Sequence, residues 1–368
     1  MKDDEGMKRA GRPLQLGFVG GGANSAVGYT HFLASRLDGA FNVAAGCFSR
    51  NSEVNEATGL SFGVEPDRCY SSAQAMFHAE DLDAICVLTP TPDHKETVIS
   101  ALQAGFDVIC EKALATSVSE AGDISQVLNE SGRQLMVTFN YVGYPMVREA
   151  RAMIRSGAVG SVQQIYCEMP QESFARSVSN PQVWRRTDYE IPCVSLDLGV
   201  HVIHMVHYLT SGSVCSLKAA AEATYGNFRE VIDTVNVIAT CEPDILVNMM
   251  WTKAALGTTN GLCFRVFGDQ GSLEWKQSDP EKMRYCTKDG GVRLLERGQE
   301  GLFEANQPRY NRFKSGHPAG FVEAFANIYA DFAEVLCGAV DLRSSYDISA
   351  ANSGLALLND IHQFSQTP

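Results

Sequence analysis

An apolar run, LQLGFVG at residues 14–20, is followed by Gly20-Gly21-Gly22-Ala23-Asn24-Ser25 and then by a stretch with helical spacing. Glycines at the first and third places let a chain turn sharply and bring its backbone close to a pyrophosphate, which rests on the free N–H groups of the helix N-terminus. A G-x-G-x-x-[small] pattern has that use when a strand precedes it and a helix follows, as both do here. Gly20, Gly22, Ala23, Asn24 and Ser25 are therefore candidate cofactor contacts, with Ser25 standing where Gly or Ala is usual. The next strand-like run ends Cys47-Phe48-Ser49-Arg50 and carries no acid. An Asp or Glu there would take the ribose hydroxyls of NAD, whereas a serine and the forked donors of an arginine suit a 2′-phosphate. Ser49 and Arg50 thus favour NADP over NAD.

Such a turn needs a parallel sheet around it. Strand-like runs at 14–20, 41–49, 83–90, 107–112 and 135–140 alternate with helical periods at 25–37, 52–60, 94–105 and 117–132. Short Val/Ile/Leu-rich runs joined through helices by brief glycine-containing turns specify an α/β domain, a doubly wound parallel sheet. The rhythm stops near Asn140. After a helix at 145–157, runs at 162–170, 235–242, 245–254, 262–277 and 283–288 have strand character with hairpin turns such as GDQG, and 194–212 reads as a helix. The tail is helical by period. The expected organisation is a flexible leader at 1–13, a dinucleotide-binding domain at 14–142 and an α+β domain at 143–368.

Composition limits the partners. At 368 residues the chain exceeds a comfortable single core. A formal net charge of −13 argues against nucleic acid or an anionic membrane as partner, although local amides and a cation can still hold a phosphate. The 11 cysteines are scattered, form no C-x-x-C pair and fall mostly in apolar stretches such as AICVL, the pattern of a reducing compartment. The N-terminal segment lacks an apolar signal-peptide core and no run is long enough to span a bilayer, so a cytoplasmic location is expected.

Several further segments resemble the Gfo/Idh/MocA oxidoreductases. They are Thr89-Pro90-Thr91-Pro92-Asp93-His94, Glu111-Lys112, Asn140-Tyr141-Val142-Gly143-Tyr144-Pro145, Trp184-Arg185 and Asp197-Leu198-Gly199-Val200-His201, in that order along the chain. The resemblance runs from about residue 14 to the C-terminus. It implies an N-terminal Rossmann domain and a C-terminal domain built on a large open, mainly antiparallel sheet, through which members form homodimers or homotetramers. It also implies an enzyme that moves hydride between NAD or NADP and a hydroxyl-bearing carbon of a sugar, inositol or related polyol. Thr89, Pro90, Thr91, His94, Glu111, Asn140, Trp184 and Arg185 join the expected cofactor contacts, and Tyr141 and Tyr144 the expected substrate contacts.

By the same resemblance Lys112 occupies the position of the family's catalytic lysine, and it contacts the cofactor as well; Asp197 and His201 occupy its D-x-x-x-H pair. The chemistry is consistent. Positions i and i+4 share a helix face, and a strand's carboxyl end is where open α/β sheets bind ligands. His201 is the expected acid/base, Lys112 would hold the reacting oxygen, and Asp197 would bind a substrate hydroxyl or tune its neighbours. The pattern departs at Ala113, which replaces the proline of E-K-P, and at 191–196, where bulkier residues replace a glycine-rich run. Asp197, His201 and His204 stand at i, i+4 and i+7, so zinc ligation is open beside a substrate-contact role for His204; the expectation is no metal. His317 opens the helical tail and is read either as a substrate contact or as a surface residue. Two alternatives remain: a glycosidase using tightly held NAD, and a non-catalytic, sugar-linked regulator.

Overall fold

The computed structural model describes residues 11–211, 214–338 and 346–367. Residues 1–10 of the expected flexible leader lie outside that range, and at its end Arg12 is held by Asp83, Nη1 to Oδ2 2.6 Å. The chain divides into two units, one of residues up to Asn140 with Phe321–Ser349, the other of Tyr141–Gly320 with residues from Ala350 on.

The first unit holds β1 (Leu14–Gly20), β2 (Phe41–Cys47), β3 (Ala84–Leu88), β4 (Asp107–Cys110) and β5 (Leu135–Val137). They form one parallel sheet in the order β2-β1-β3-β4-β5. Every residue of β3 and β4 is buried, as a strand covered on both faces requires. The connecting helices are α1 (Gly28–Arg36), α2 (Ser52–Phe62), α3 (Ala73–Ala79), α4 (His94–Gln103) and α5 (Val118–Ser131). Asn51, Ser72 and Ser117 cap α2, α3 and α5 by accepting the N–H three residues on. Phe32 of α1 stacks on Phe62 of α2 at 4.1 Å, and Phe18 of β1 meets Phe62 edge-on, closing the core over the first crossover.

A later helix, α8 (Phe321–Leu336), belongs to this unit, although the reading of the sequence placed everything after 143 in the second domain. Its buried face explains the return. Phe325, Ile328, Tyr329 and Phe332 recur at helical spacing and are buried, with Phe325 against His31 of α1 and Tyr329 against Phe41 of β2.

The second unit is organised on eight strands: β6 (Val162–Pro170), β7 (Val214–Ala223), β8 (Thr234–Cys241), β9 (Ile245–Thr252), β10 (Cys263–Gly268), β11 (Gly271–Lys276), β12 (Lys282–Thr287) and β13 (Val292–Glu296). Their order is β13-β12-β11-β10-β6-β9-β8-β7, antiparallel throughout except for the parallel β6–β9 pair. Burial alternates along β8 and β9, so one face is core. Helices α6 (Pro145–Arg155), α7 (Val200–Thr210) and α9 (Ile348–Ser365) complete the unit. The other face exposes Ile238 and Phe267. Among the described residues no helix is long and apolar enough to cross a membrane.

Candidate active site residues

The glycine turn leaves β1 at Gly20 and reaches α1 only at Gly28. Its fold differs in one respect from the sequence pattern. The close-packing place, read at Ser25, falls to Gly28, where a Cβ would sit 2.0 Å from the Gly21 carbonyl oxygen. Ser25 instead holds the last bend, its Oγ accepting from the N–H of Gly28 at 3.1 Å. The Gly22 N–H donates to the Phe48 carbonyl and the Ala23 N–H to Thr58 Oγ1, which fixes the turn against the end of β2. Ala23 and Asn24 are exposed at its tip.

After β2, Asn55 Oδ1 accepts from the N–H groups of Phe48 and Ser49, and Ser49 Oγ accepts from Asn51 N–H. The loop is thus shaped from within, while Arg50, 90% exposed in its side chain, reaches Asp93 at 2.9 Å.

The carboxyl ends of β3, β4 and β5 are neighbours in the sheet, and the remaining first-unit candidates lie there. Pro90 is exposed and Thr91 buried in the short turn before α4. His94 is interior, its ring nitrogens 2.7 Å from the Ala113 carbonyl and 2.8 Å from the Thr89 carbonyl, so it ties the loop after β3 to the loop after β4. Burial pushes its pKa down, leaving one N–H between two carbonyls at neutral pH. Glu111 also turns inward, hydrogen-bonded to His31 and Thr138, while Lys112 is half-buried. The Lys112–Ala113 peptide, where the family pattern has proline, is cis.

A dinucleotide fits these residues. Thr89 Oγ1 and Asn140 Nδ2 are buried with no hydrogen-bond partner among the described residues, just past β3 and β5 on the edge where open parallel sheets take ligands. A cofactor laid there would supply an acceptor for the Asn140 amide and a partner for the Thr89 hydroxyl.

In the second unit the helix bearing Asp197 opens with a π-helical turn, Ser195–Gly199, before α7 continues it. Such turns depart from the spacing that placed Asp197 and His201 on one α-helical face. The turn is fastened from β9, where the Trp251 indole N–H donates to Ser195 Oγ at 3.0 Å. Gly199 lets the helix lie against that indole, since a Cβ would meet Trp251 Cε2 at 2.8 Å. Asp197 Oδ2 pairs with Lys253 Nζ at 2.6 Å and with Arg185 Nη1. Two cations on one carboxylate oxygen hold Asp197 as an anion and fix its direction.

His201 is buried with its ring edge against Tyr141, centroids 4.7 Å apart, and the Tyr141 hydroxyl accepts from Asn260 Nδ2. Tyr144 stacks beside Tyr141 and leans on Trp275. Arg185 and Trp184 lie on one short turn, the guanidinium 4.4 Å from the indole centroid. His204 is buried in stacked contact with Tyr208. Among the described residues no three His, Cys, Asp or Glu side chains converge as a metal site. His317 is exposed, its carbonyl held by the buried Arg297.

Lys253 was not singled out in the sequence, yet its side chain is only 3% exposed and lies over the Phe174 ring at 4.8 Å. A signal existed. Val247, Met249 and Trp251 are the buried alternate positions of β9, and two residues further that period puts Lys253 on the inward face.

Comparisons with known proteins agree with this architecture. The oxidoreductase family with NAD-binding Rossmann fold, GFO_IDH_MocA, matches residues 14–139, and the GFO/IDH/MocA C-terminal domain matches residues 147–274. An uncharacterized oxidoreductase, YfiI, of Bacillus subtilis (strain 168) is 29% identical over 357 residues, covering 93% of this chain and 89% of its own. An inositol dehydrogenase homolog from Azotobacter vinelandii, solved with NADH and myo-inositol, superposes with a TM-score of 0.90 at 26% identity, over 97% of this chain and 96% of that one. An oxidoreductase from Sinorhizobium meliloti superposes with a TM-score of 0.85 at 30% identity, over 96% of this chain and 98% of that one.

Proposed function

This chain belongs to the GFO/IDH/MocA oxidoreductase family, and from that premise we propose that it transfers hydride between NADP and a hydroxyl-bearing carbon of a sugar, inositol or related polyol. The observation that carries the reading is the second unit's cluster, a carboxylate held by two cations on the helix that also bears a buried imidazole. A nicotinamide, when bound, accepts or supplies the hydride. His201 takes the hydroxyl proton as the carbon–hydrogen bond breaks, and returns it in the reverse direction. The Lys112 ammonium stabilises the developing alkoxide. Asp197, kept anionic by Lys253 and Arg185, accepts a hydrogen bond from a substrate hydroxyl and so orients the sugar.

Thr89, Asn140 and the 20–25 turn hold the dinucleotide, and Ser49 with Arg50 gives the 2′-phosphate form its advantage. The A. vinelandii homolog was solved with NADH, whereas the acid-free loop after β2 of this chain supports the phosphorylated form. The outer face of the eight-stranded sheet, with Ile238 and Phe267 exposed, supports assembly into a homodimer or homotetramer. The cysteines whose side chains the structure describes are all free, in keeping with a cytoplasmic location.

The test is a fluorescence titration of the purified, cofactor-free protein with NADPH and NADH side by side, followed by turnover with myo-inositol, aldopentoses and aldohexoses. Tighter binding of NADPH with polyol-dependent reduction of NADP supports the whole reading. Tighter binding of NADH refutes the NADP preference alone. Cleavage of a glycoside without net cofactor turnover, or cofactor binding with no turnover of any polyol, overturns the dehydrogenase reading.

A further inference from the structure

A chain of buried polar groups links three elements, β3, α8 and α1, to the residues just past β4 and β5. Cys86 of β3 lies 3.2 Å from the hydroxyl of Tyr329 on α8. That hydroxyl lies 2.8 Å from His31 Nδ1 on α1, and His31 Nε2 lies 3.1 Å from Glu111 Oε1 at the end of β4. Thr138, just past β5, donates its hydroxyl to the same Glu111 oxygen. His31 is fully buried and Glu111 nearly so.

With Glu111 ionised and a neutral imidazole, His31 Nε2–H must donate to the carboxylate, which leaves Nδ1 as an acceptor. Burial drives the Cys86 thiol and the Tyr329 phenol well above their ordinary pKa values, so both keep their protons. Tyr329 O–H, at 2.8 Å, then donates to His31 Nδ1, and His31 Nε2–H to Glu111, with Cys86 Sγ lying 3.2 Å from the Tyr329 hydroxyl and 3.9 Å from His31 Nδ1. The chain ends on a carboxylate. Burial would raise that carboxyl, but hydrogen bonds from His31 and the Thr138 hydroxyl, together with the charge of Lys112, hold it below the usual range. The other ionisable groups that sense Glu111 are His94 on α4, Cys86, Cys110 on β4 and Tyr329.

We propose that Tyr329, His31 and Glu111 are positioning residues for Lys112: a one-way hydrogen-bond relay that fixes a buried carboxylate beside that amine and so sets where its charge stands. Held through one oxygen by both His31 and Thr138, the Glu111 carboxylate is fixed independently of the Lys112 side chain. The relay also joins α1, which the glycine turn opens, to the strand end that bears Lys112, so dinucleotide and amine are registered by one set of contacts. The return of α8 to the first unit supplies Tyr329, a reason for that topology beyond the burial of its apolar face. The inference rests on the reading of Lys112 as the group facing the reacting oxygen, but its first test does not.

That test measures the amine itself. The full-length, cofactor-free protein is acetylated with limiting acetic anhydride at pH 8, and the rate at Lys112 is read by peptide mass spectrometry relative to Lys95, which is on α4 and outside the relay. Glu111→Gln keeps the shape and removes the charge, and Lys112 is expected to acetylate about threefold faster or more, because an ammonium that loses its counter-charge releases its proton more readily. Tyr329→Phe removes one hydroxyl and is expected to raise the Lys112 rate about 1.5- to 2-fold. With a polyol that the parent turns over, Glu111→Gln is expected to lower kcat about tenfold or more with KM changed less than about threefold, the split of a group that aims the amine rather than binds substrate.

Unchanged Lys112 acetylation in both variants, with the parent's circular dichroism retained, overturns the proposal, as does a fall in melting temperature with kcat and acetylation both untouched. Should Glu111→Gln fail to fold, Tyr329→Phe carries the same measurement with a milder change. Undiminished turnover by Lys112→Met would refute the catalytic reading of Lys112 while leaving the acetylation result to stand separately.

Discussion

Each unit carries one buried carboxylate beside a candidate catalytic group, Glu111 next to Lys112 and Asp197 four residues before His201. Their surroundings are opposite in kind. Glu111 is anchored by an imidazole and a hydroxyl, both able to act as neutral donors, with its cation the adjacent Lys112. Asp197 is gripped directly by two cations, Lys253 and Arg185, on one oxygen. A carboxylate held by neutral donors keeps its charge available to a neighbour, whereas one already saturated by cations offers mainly a fixed direction and its second oxygen. The first arrangement suits a group that tunes an amine, the second a group that orients a hydroxyl.

The sharpest way to break this contrast is at Lys253. Lys253→Met keeps the length and apolar stem and removes the charge. Losing one partner of a buried pair leaves the remaining charges poorly compensated, so a loss of about 3–5 kcal/mol in urea unfolding is expected. Activity is expected to fall about a hundredfold through loss of the Asp197 direction. A variant as stable and active as the parent would show that Arg185 alone is sufficient, and that the two-cation grip is not what distinguishes Asp197.

Next in size is Gly199→Ala. The added methyl meets Trp251 and Leu358 at under 3 Å, both well-packed side chains of the same unit, so overpacking of about 1–3 kcal/mol is expected. Because Trp251 also donates to Ser195, the strain would pass into the π-helical turn and lower kcat more than a surface substitution of equal stability cost. The control is Gly122→Ala on α5, whose Cβ meets nothing within 4 Å. Equal behaviour of the two variants would remove the packing argument for the turn.

The strand pattern of both sheets was legible in the sequence because local signals and global fold agree. β6 was read with the bounds it has, and the five strands of the first sheet were each found within a few residues. The glycine turn was legible for the same reason, though Gly28 was not, because its role comes from a backbone three residues beyond the pattern. What escaped depended on partners distant in sequence. The helix α3 and the strand β13, at 7 and 5 residues, are too short to set a period, and along β7 the consecutive alanines 219–221 break the alternation. The return of α8 to the first unit is decided by Phe325 and Tyr329 meeting α1 and β2, about 290 residues away in the chain. Lys253 was visible only by carrying the alternation of β9 past Trp251, and His31, now part of the relay, looked like any histidine on an amphipathic helix.

A pH series tests the Glu111 side of the contrast. Its carboxyl titrates below its unfolded value, so at neutral pH the ionised form contributes stability, fully present above the unfolded pKa. That contribution is lost as pH falls through the lower, folded value. Unfolding free energy is therefore expected to decline through the acid range in the parent, and to decline less steeply in Glu111→Gln. Parallel curves would mean that the relay does not favour the ionised carboxylate, and Glu111 would then be no different from any buried acid.

The smallest expected effect belongs to Arg50, which stands outside both clusters. Its partner Asp93 is itself 41% exposed, and a pair so open to water contributes little to folding, so Arg50→Ala should leave the melting temperature unchanged. Its effect should be confined to the cofactor. Loss of a forked cation facing a 2′-phosphate is expected to weaken NADPH binding about tenfold, and to leave NADH binding within about twofold. The pairing with Asp93 adds a second expectation, of opposite sign. Asp93→Asn frees Arg50 from a competing anion, so NADPH should then bind more tightly than to the parent while NADH does not. If Arg50→Ala weakens both dinucleotides equally, the arginine does not discriminate between them, and any preference the enzyme has must come from other groups of the cofactor site.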